Sequence, residues 1–199
     1  MKNWKILVAV VILFSATAIT NANAQGGEPP FVKGSNTIGA SLGFGVDYGY
    51  AYGSYGSYTP LPAIAFTFDH GSFEKVGPGT IGIGGVVGFK TARWKGNGYK
   101  ETWTNYIIGA RGTYHLTLLA DKNNKFDPYA GITIGFRIFD HNYDDGIYGN
   151  GVYHEKYNTV YPIAGAFIGA KYNFADSFGA FAEVGYDISL ARIGICFNF

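Results

Sequence analysis

Between Asn36 and Phe199, bulky apolar residues recur at every second position, and the positions between them are mostly small. In the first such segment Ile38, Ala40, Leu42, Phe44 and Val46 share one face, while Gly39, Ser41, Gly43 and Gly45 share the other. A period of two is the signature of a β-strand. A soluble antiparallel sheet hides its bulky face in a core and turns a polar face to water. Here the second face is tiny rather than charged. The bulky face suits lipid, and the small face suits a crowded interior.

The same alternation returns along the chain. Its outward sets are Ile64, Phe66 and Phe68; then Ile81, Ile83, Val87 and Phe89; then Tyr106, Ile108, Ala110 and Tyr114. Further on come Ala130, Ile132, Ile134, Phe136 and Ile138, then Ala164, Ala166, Ile168, Ala170 and Tyr172. Ala182, Val184, Tyr186 and Ile188 form the next set, and Ile193, Ile195, Phe197 and Phe199 the last. That makes about eight strands, the smallest number that closes a transmembrane barrel. The expected fold is therefore all-β, an eight-stranded antiparallel up-and-down transmembrane barrel over residues 36–199. Thirty glycines, sixteen tyrosines and sixteen phenylalanines favour strands over helices.

Lys2 and Lys5 precede an unbroken apolar run from Ile6 to Phe14, and Ala22-Asn23-Ala24 follows before Gln25. A positive start, a short apolar stretch and an A-x-A site predict a secretory signal peptide over residues 1–24, cut between Ala24 and Gln25. The run is too short for a transmembrane helix, which needs about 20 apolar residues. Residues 25–35, with Pro29 and Pro30, read as a flexible periplasmic lead. Without the signal peptide the chain has thirteen basic and fourteen acidic side chains, so nucleic-acid binding has no electrostatic footprint. The single Cys196 cannot form an internal disulfide and falls on the inward face of the last strand.

The final strand, Arg192-Ile-Gly-Ile-Cys-Phe-Asn-Phe199, stops on an aromatic. Arg192, Gly194, Phe197 and Phe199 together resemble the C-terminal assembly signal of bacterial outer-membrane barrels. Over nearly all of residues 36–199 the chain resembles the small eight-stranded outer-membrane proteins of the OmpX and OmpA-barrel type. The resemblance implies a Gram-negative outer-membrane location, with contacts to outer-membrane lipids, lipopolysaccharide and the barrel-assembly machinery. It also implies a structural or surface-interaction protein whose loops present an adhesive surface to an extracellular partner. A small passive pore is the alternative.

With both ends in the periplasm, the odd links are the extracellular ones: Asp47–Thr59, rich in Tyr, Gly and Ser; Trp94–Glu101; and Asp140–Tyr157. Tyr48, Tyr50, Tyr52, Tyr55 and Tyr58 give large amphipathic contact area at low entropic cost. Gly71–Gly79, Thr117–Asp127 and Asn173–Ser177 are the periplasmic links, and Asp187–Ala191 is a tight outer turn.

The inward positions gather charge. Arg111, Arg137 and Lys171, with Lys90, face Glu183 and Asp187, and a charge in a sealed interior must be paired. Eight strands leave room only for side chains, so the expected arrangement is an internal salt-bridge network; an ion path would need a continuous wet channel. Asp140, Asn142 and Asp144 echo the start of a calcium loop, but Asp145 stands where the turn glycine belongs, so no metal or cofactor is expected. Ser41 and Ser189 point inward, away from His70 and His115 near the periplasmic end, so no catalytic set forms and lipid A modification is not expected. A closed barrel resists detergent unfolding, so unboiled protein should migrate differently from boiled protein on a denaturing gel. Identical migration in both states would contradict closure.

Overall fold

The computed structural model describes residues 29–45, 56–73, 76–96, 99–117, 124–145 and 153–199. They form β1 (Asn36–Phe44), β2 (Ser57–Pro60), β3 (Ala63–Gly71), β4 (Gly79–Gly96), β5 (Tyr99–Leu116), β6 (Phe126–Asp145), β7 (Tyr153–Ala175), β8 (Phe178–Gly185) and β9 (Ala191–Asn198). Both β2 and β3 lie on β4, with Ser57 opposite Lys95 and Ile64 opposite Phe89, so they occupy one strand position broken at Leu61 and Pro62. The ring therefore has eight members, all antiparallel. It closes where β1 meets β9, Thr37 opposite Asn198. Asn36 and Phe199 extend that seam: each donates its N–H to the other's carbonyl, at 3.0 and 2.9 Å. The signal peptide and the tyrosines from Tyr48 to Tyr55 lie outside the described residues.

The alternation has the expected sense. Ile168 is 65% exposed on the outside, whereas Thr133 is fully buried inside. Outward positions on β5 stay apolar from Leu116 to Tyr106, on β6 from Ile132 to Ile138, and on β7 from Tyr172 to Val160. Residues 106–116 match the 9–11 residues with which a tilted strand crosses a bilayer. The outer edge of this belt is sharp. Phe89, Tyr106, Ile138 and Val160 lie side by side across β4 to β7, and the next outward rung is Thr91, Thr104, Asp140 and Asn158. Aromatic residues line both borders, including Phe44, Phe89 and Tyr106 at one and Tyr172, Phe174, Phe178 and Phe197 at the other.

Three expectations need correction. Much of what reads as extracellular loop is strand: β4 and β5 run through Trp94–Glu101, and β6 and β7 take most of Asp140–Tyr157. These strands have 18, 18, 20 and 23 residues, against 9, 8 and 8 for β1, β8 and β9. Beyond the belt neither sheet face touches lipid, so the hydrophobic period that reveals a strand disappears. From Ile138 to Asp145, β6 projects by roughly 23 Å at about 3.3 Å per residue.

Second, Ile188 points inward and is fully buried. The chain leaves β8 at Gly185, so Asp187, Ile188 and Ser189 are buried in succession rather than alternating. Ile188 packs with Ala63, Ala65, Val86 and Ile107 as an apolar layer across the lumen. Gly88 makes room for it, since a Cβ there would come within 2.8 Å of Ile188 Cδ1.

Third, the lead is anchored where it meets the barrel. Phe31 is 1% exposed and stacks on His115 with centroids 3.7 Å apart. An apolar ring at the periplasmic mouth gains more from burial than from mobility.

Ile134 and Asn158 both face outward, one inside the belt and one beyond it. Ile134→Lys should cost about 2–4 kcal/mol of stability in lipid vesicles, by urea titration. Asn158→Lys should change stability by less than about 1 kcal/mol. Equal effects would mean that no hydrocarbon surrounds Ile134.

Candidate functional site

The inward charges form two layers. In the layer nearer the outer rim, Glu183 on β8 is the centre. Arg111 Nη2 donates to its Oε1 at 2.7 Å, Tyr129 donates to the same oxygen at 2.8 Å, and Arg192 Nη2 donates to Oε2. Arg192 also bonds Asp187 Oδ2 at 2.9 Å, and Thr133 donates to that oxygen at 3.3 Å. The second oxygen of Asp187 accepts the Ile188 N–H at 2.6 Å, which fixes the inward turn. The Arg111 guanidinium lies 4.1 Å from the Phe167 ring centroid. Two cations and two anions thus neutralise each other in a space with no room for bulk water.

The layer nearer the periplasm is built on Asp127. Its carboxylate takes His115 Nδ1 at 2.9 Å and Lys171 Nζ at 3.3 Å. Thr113 lies 3.1 Å from His115 Nε2 and donates to Asp69 Oδ1 at 2.9 Å. Lys171 donates further to Thr37 Oγ1 and Asn198 Oδ1, at 3.2 and 3.3 Å, and so reaches both strands of the closing seam. Between the layers lies a cavity of about 30 Å³ touched by Asp69, Arg111, His115, Lys171, Glu183 and Cys196. A volume of this size holds a few water molecules at most.

Of the residues expected in one network, Arg111, Glu183 and Asp187 come together, while Lys171 joins the other layer. Arg137 is half-buried, its guanidinium 4.9 Å from the Tyr161 ring centroid. Lys90 donates to the Gly45 carbonyl at 2.7 Å. Sequence reasoning missed Arg192 and Asp127 as members of the charged interior. The terminal signal accounts for Arg192 in the sequence, although its parity with Gly194 and Asn198 points inward. The sequence pattern puts Asp127 at the end of a link, but β6 starts one residue before it. Gly194 faces inward against the ring of Phe181, and Phe197 faces outward. Asp140 accepts from Asn142 at 2.7 Å and pairs with Lys156 at 3.0 Å on the outside of the sheet.

Above the barrel the inward face of the projecting sheet carries an aromatic rung. Trp103, His141 and Tyr157 are register neighbours on β5, β6 and β7, stacked at 5.6 and 6.4 Å, and Glu101 lies 3.0 Å from His141 Nε2. One edge of this sheet is open. β8 begins pairing with β7 at Phe167, opposite Gly185, and Tyr186 N–H bonds the Ala166 carbonyl. From Tyr153 to Gly165, among the described residues, β7 has a strand neighbour on one side only.

A closed eight-membered ring, an apolar belt of membrane height and a self-neutralising interior define the class, a small up-and-down transmembrane β-barrel. No protein-family model matches the chain, and no curated protein matches it. Among solved structures it is similar to the N-terminal barrel domain of OprF from Pseudomonas aeruginosa, at 13% identity over 85% of this chain and 100% of that one, with a TM-score of 0.45. It is also similar to OprG from the same organism, at 12% identity over 86% and 99% of the two chains, TM-score 0.47. A third similar structure is Ail, the attachment invasion locus protein of Yersinia pestis, at 11% identity over 84% and 99%, TM-score 0.47.

Glu183→Gln leaves two buried guanidiniums short of a charge and should destabilise the barrel by about 3–5 kcal/mol. Arg111→Leu in the same chain should recover part of that loss, because Arg111 bonds Glu183 and the two charges leave together. Replacing the half-buried Arg137 with Gln should cost less than Glu183→Gln. The check is urea titration read by gel mobility; no recovery in the double variant would show that Arg111 is not Glu183's partner.

Proposed function

We propose that this protein is an outer-membrane surface-interaction protein, a rigid barrel that holds a projecting β-sheet above the bilayer for a partner to engage. The open edge of β7 between Tyr153 and Tyr161, below which Pro162 offers no N–H, carries this reading. An unpaired strand edge exposes a row of backbone donors and acceptors that template another chain, and a partner's extended segment adds to such an edge by main-chain hydrogen bonds. Tyr157, exposed at the end of the aromatic rung, supplies a side-chain contact. Catalysis has no support in the constellation of Ser, His and acidic side chains. The pore reading is weaker because Ile188, the Glu183 layer and the Asp127 layer fill the lumen in succession. Export through the signal peptide and a Gram-negative outer-membrane location belong to the same proposal.

Two measurements test it. Purified protein in planar bilayers should give no steady conductance above background, and regular channels would favour the pore. Cells displaying the protein should bind at least one member of a panel of immobilised extracellular proteins. Proline at Asn158 and at Thr159 then separates the two sides of β7, since successive N–H groups point to opposite edges. One proline should weaken pairing with β6, and the other should leave the barrel intact while abolishing capture. Unchanged capture with both prolines would rule out the edge as the contact.

A further inference from the structure

At its periplasmic end the lumen is crossed by a residue that belongs to no strand. Phe31 is 1% exposed, and its ring lies on the His115 imidazole with centroids 3.7 Å apart and planes 16° from parallel. The same imidazole also stacks on Tyr129, at 5.1 Å. Lys171 Nζ, on β7, lies 5.2 Å from the centroid of Phe31. On β4, Gly82 leaves the space that the tip of Phe31 needs, since a Cβ there would come within 3.1 Å of its Cζ. One side chain thus reaches β4, β5 and β7, and β7 lies three strand positions round the barrel from β4. Phe31 bridges the mouth.

The segment that carries Phe31 is aimed by a turn. Ser35 donates its N–H to the Val32 carbonyl at 3.0 Å, and the third residue of that turn, Gly34, has φ +88°. A turn of this kind needs positive φ at its third residue, which glycine adopts at no steric cost. Val32 N–H donates to Ser35 Oγ at 3.0 Å. The turn is then tied to β3: Gly34 N–H bonds the Gly71 carbonyl at 2.8 Å, and Gly71 N–H bonds the Ser35 carbonyl at 2.9 Å. A Cβ at Gly71 would collide with the Val32 carbonyl, so the lead is pressed against the end of β3. These contacts send the chain back across the mouth instead of away from it.

The seat of Phe31 shares walls with the cavity between the charge layers, because His115 and Lys171 line both. Toward the outer rim that cavity is closed by the Arg111–Glu183 pair and then by the apolar layer around Ile188. We propose that Phe31 is the periplasmic stopper of the lumen, the side chain whose removal opens this cavity to solutes from the periplasm. The lumen then has two closures of different kinds. The outer one is an apolar layer built largely from strand residues, and the inner one is a single ring carried by a turn. Phe31 can leave its seat without breaking any strand pair, since β1 begins at Asn36. The inference depends on the closed barrel and not on the surface-interaction reading.

Cys196 is a built-in reporter: it lines the same cavity, is 3% exposed and is the only cysteine in the chain. The folded barrel in detergent micelles is treated with aminoethyl methanethiosulfonate, and intact mass spectrometry counts the single adduct. Boiled protein should label fully, which establishes that the thiol is free. Folded wild type should stay protected, and Phe31→Ala should label roughly tenfold faster or more, because thiol reactivity follows access. Gly34→Val releases the stopper by a second route. Nothing lies within 4 Å of a Cβ at Gly34, so this substitution acts by straining the positive φ, and it too should label faster than wild type. Heat-dependent gel mobility confirms that each sample is folded. Equal protection of wild type and Phe31→Ala overturns the proposal, as does wild type that labels as fast as Phe31→Ala. If Phe31→Ala does not fold, Gly34→Val decides, and protection equal to wild type overturns the proposal.

Discussion

The pairing of β1 with β9 is the constraint on which the rest of this structure depends. In hydrocarbon no water compensates an unpaired backbone group, so a strand edge there costs several kcal/mol per group. Thr37 opposite Asn198, and the reciprocal bonds of Asn36 and Phe199, remove that edge. Side chains reinforce the seam from inside. Thr37 donates to Asn198 at 2.9 Å, Asn198 donates to Asn173 at 3.0 Å, and Lys171 bonds both Thr37 and Asn198. Closure and the inner charge layer are therefore one structure: the cation that satisfies Asp127 also clamps the first strand to the last.

Closure also dictates what the interior can hold. With lipid outside, the inward residues are those that would be solvated in a soluble sheet, yet eight strands leave no water-filled lumen. Glycines at Gly39 and Gly194 give the Phe181 ring its place, where a Cβ would come within 2.9 and 2.8 Å of the ring. Glu183, Asp187 and Asp127 are each matched by cations on other strands. The network spans β5, β6, β7, β8 and β9, so it can form only after the ring has assembled.

Outside the bilayer the same strands obey different physics. β4 to β7 continue into water as a sheet whose two faces are both polar or aromatic. One face carries Trp103, His141 and Tyr157, and the other carries Arg93, Lys95 and Lys100. The short β8 and the inward turn at Ile188 end on one side of this sheet, which leaves the upper half of β7 without a second neighbour. Asymmetry in strand length, rather than any special residue, creates the surface.

What the sequence determined by itself was the barrel. Strict alternation of Ile132, Ile134 and Phe136 with Gly131, Thr133 and Gly135 has one meaning in any register that keeps lipid on one side, since slipping by one residue would invert every face. The inward parity of Arg111, Lys171 and Glu183 was legible for the same reason. What only the tertiary structure decided was pairing and height. Which anion meets which cation depends on stagger around the ring, and periodicity along a strand carries no information about stagger. Arg192 and Asp127 could thus be read as a terminal signal and a link while both were interior charges. Ile188 escaped because a turn buries consecutive residues, and the projecting strands escaped because, with no lipid on the outer face, the hydrophobic period that lipid writes into a sequence is lost.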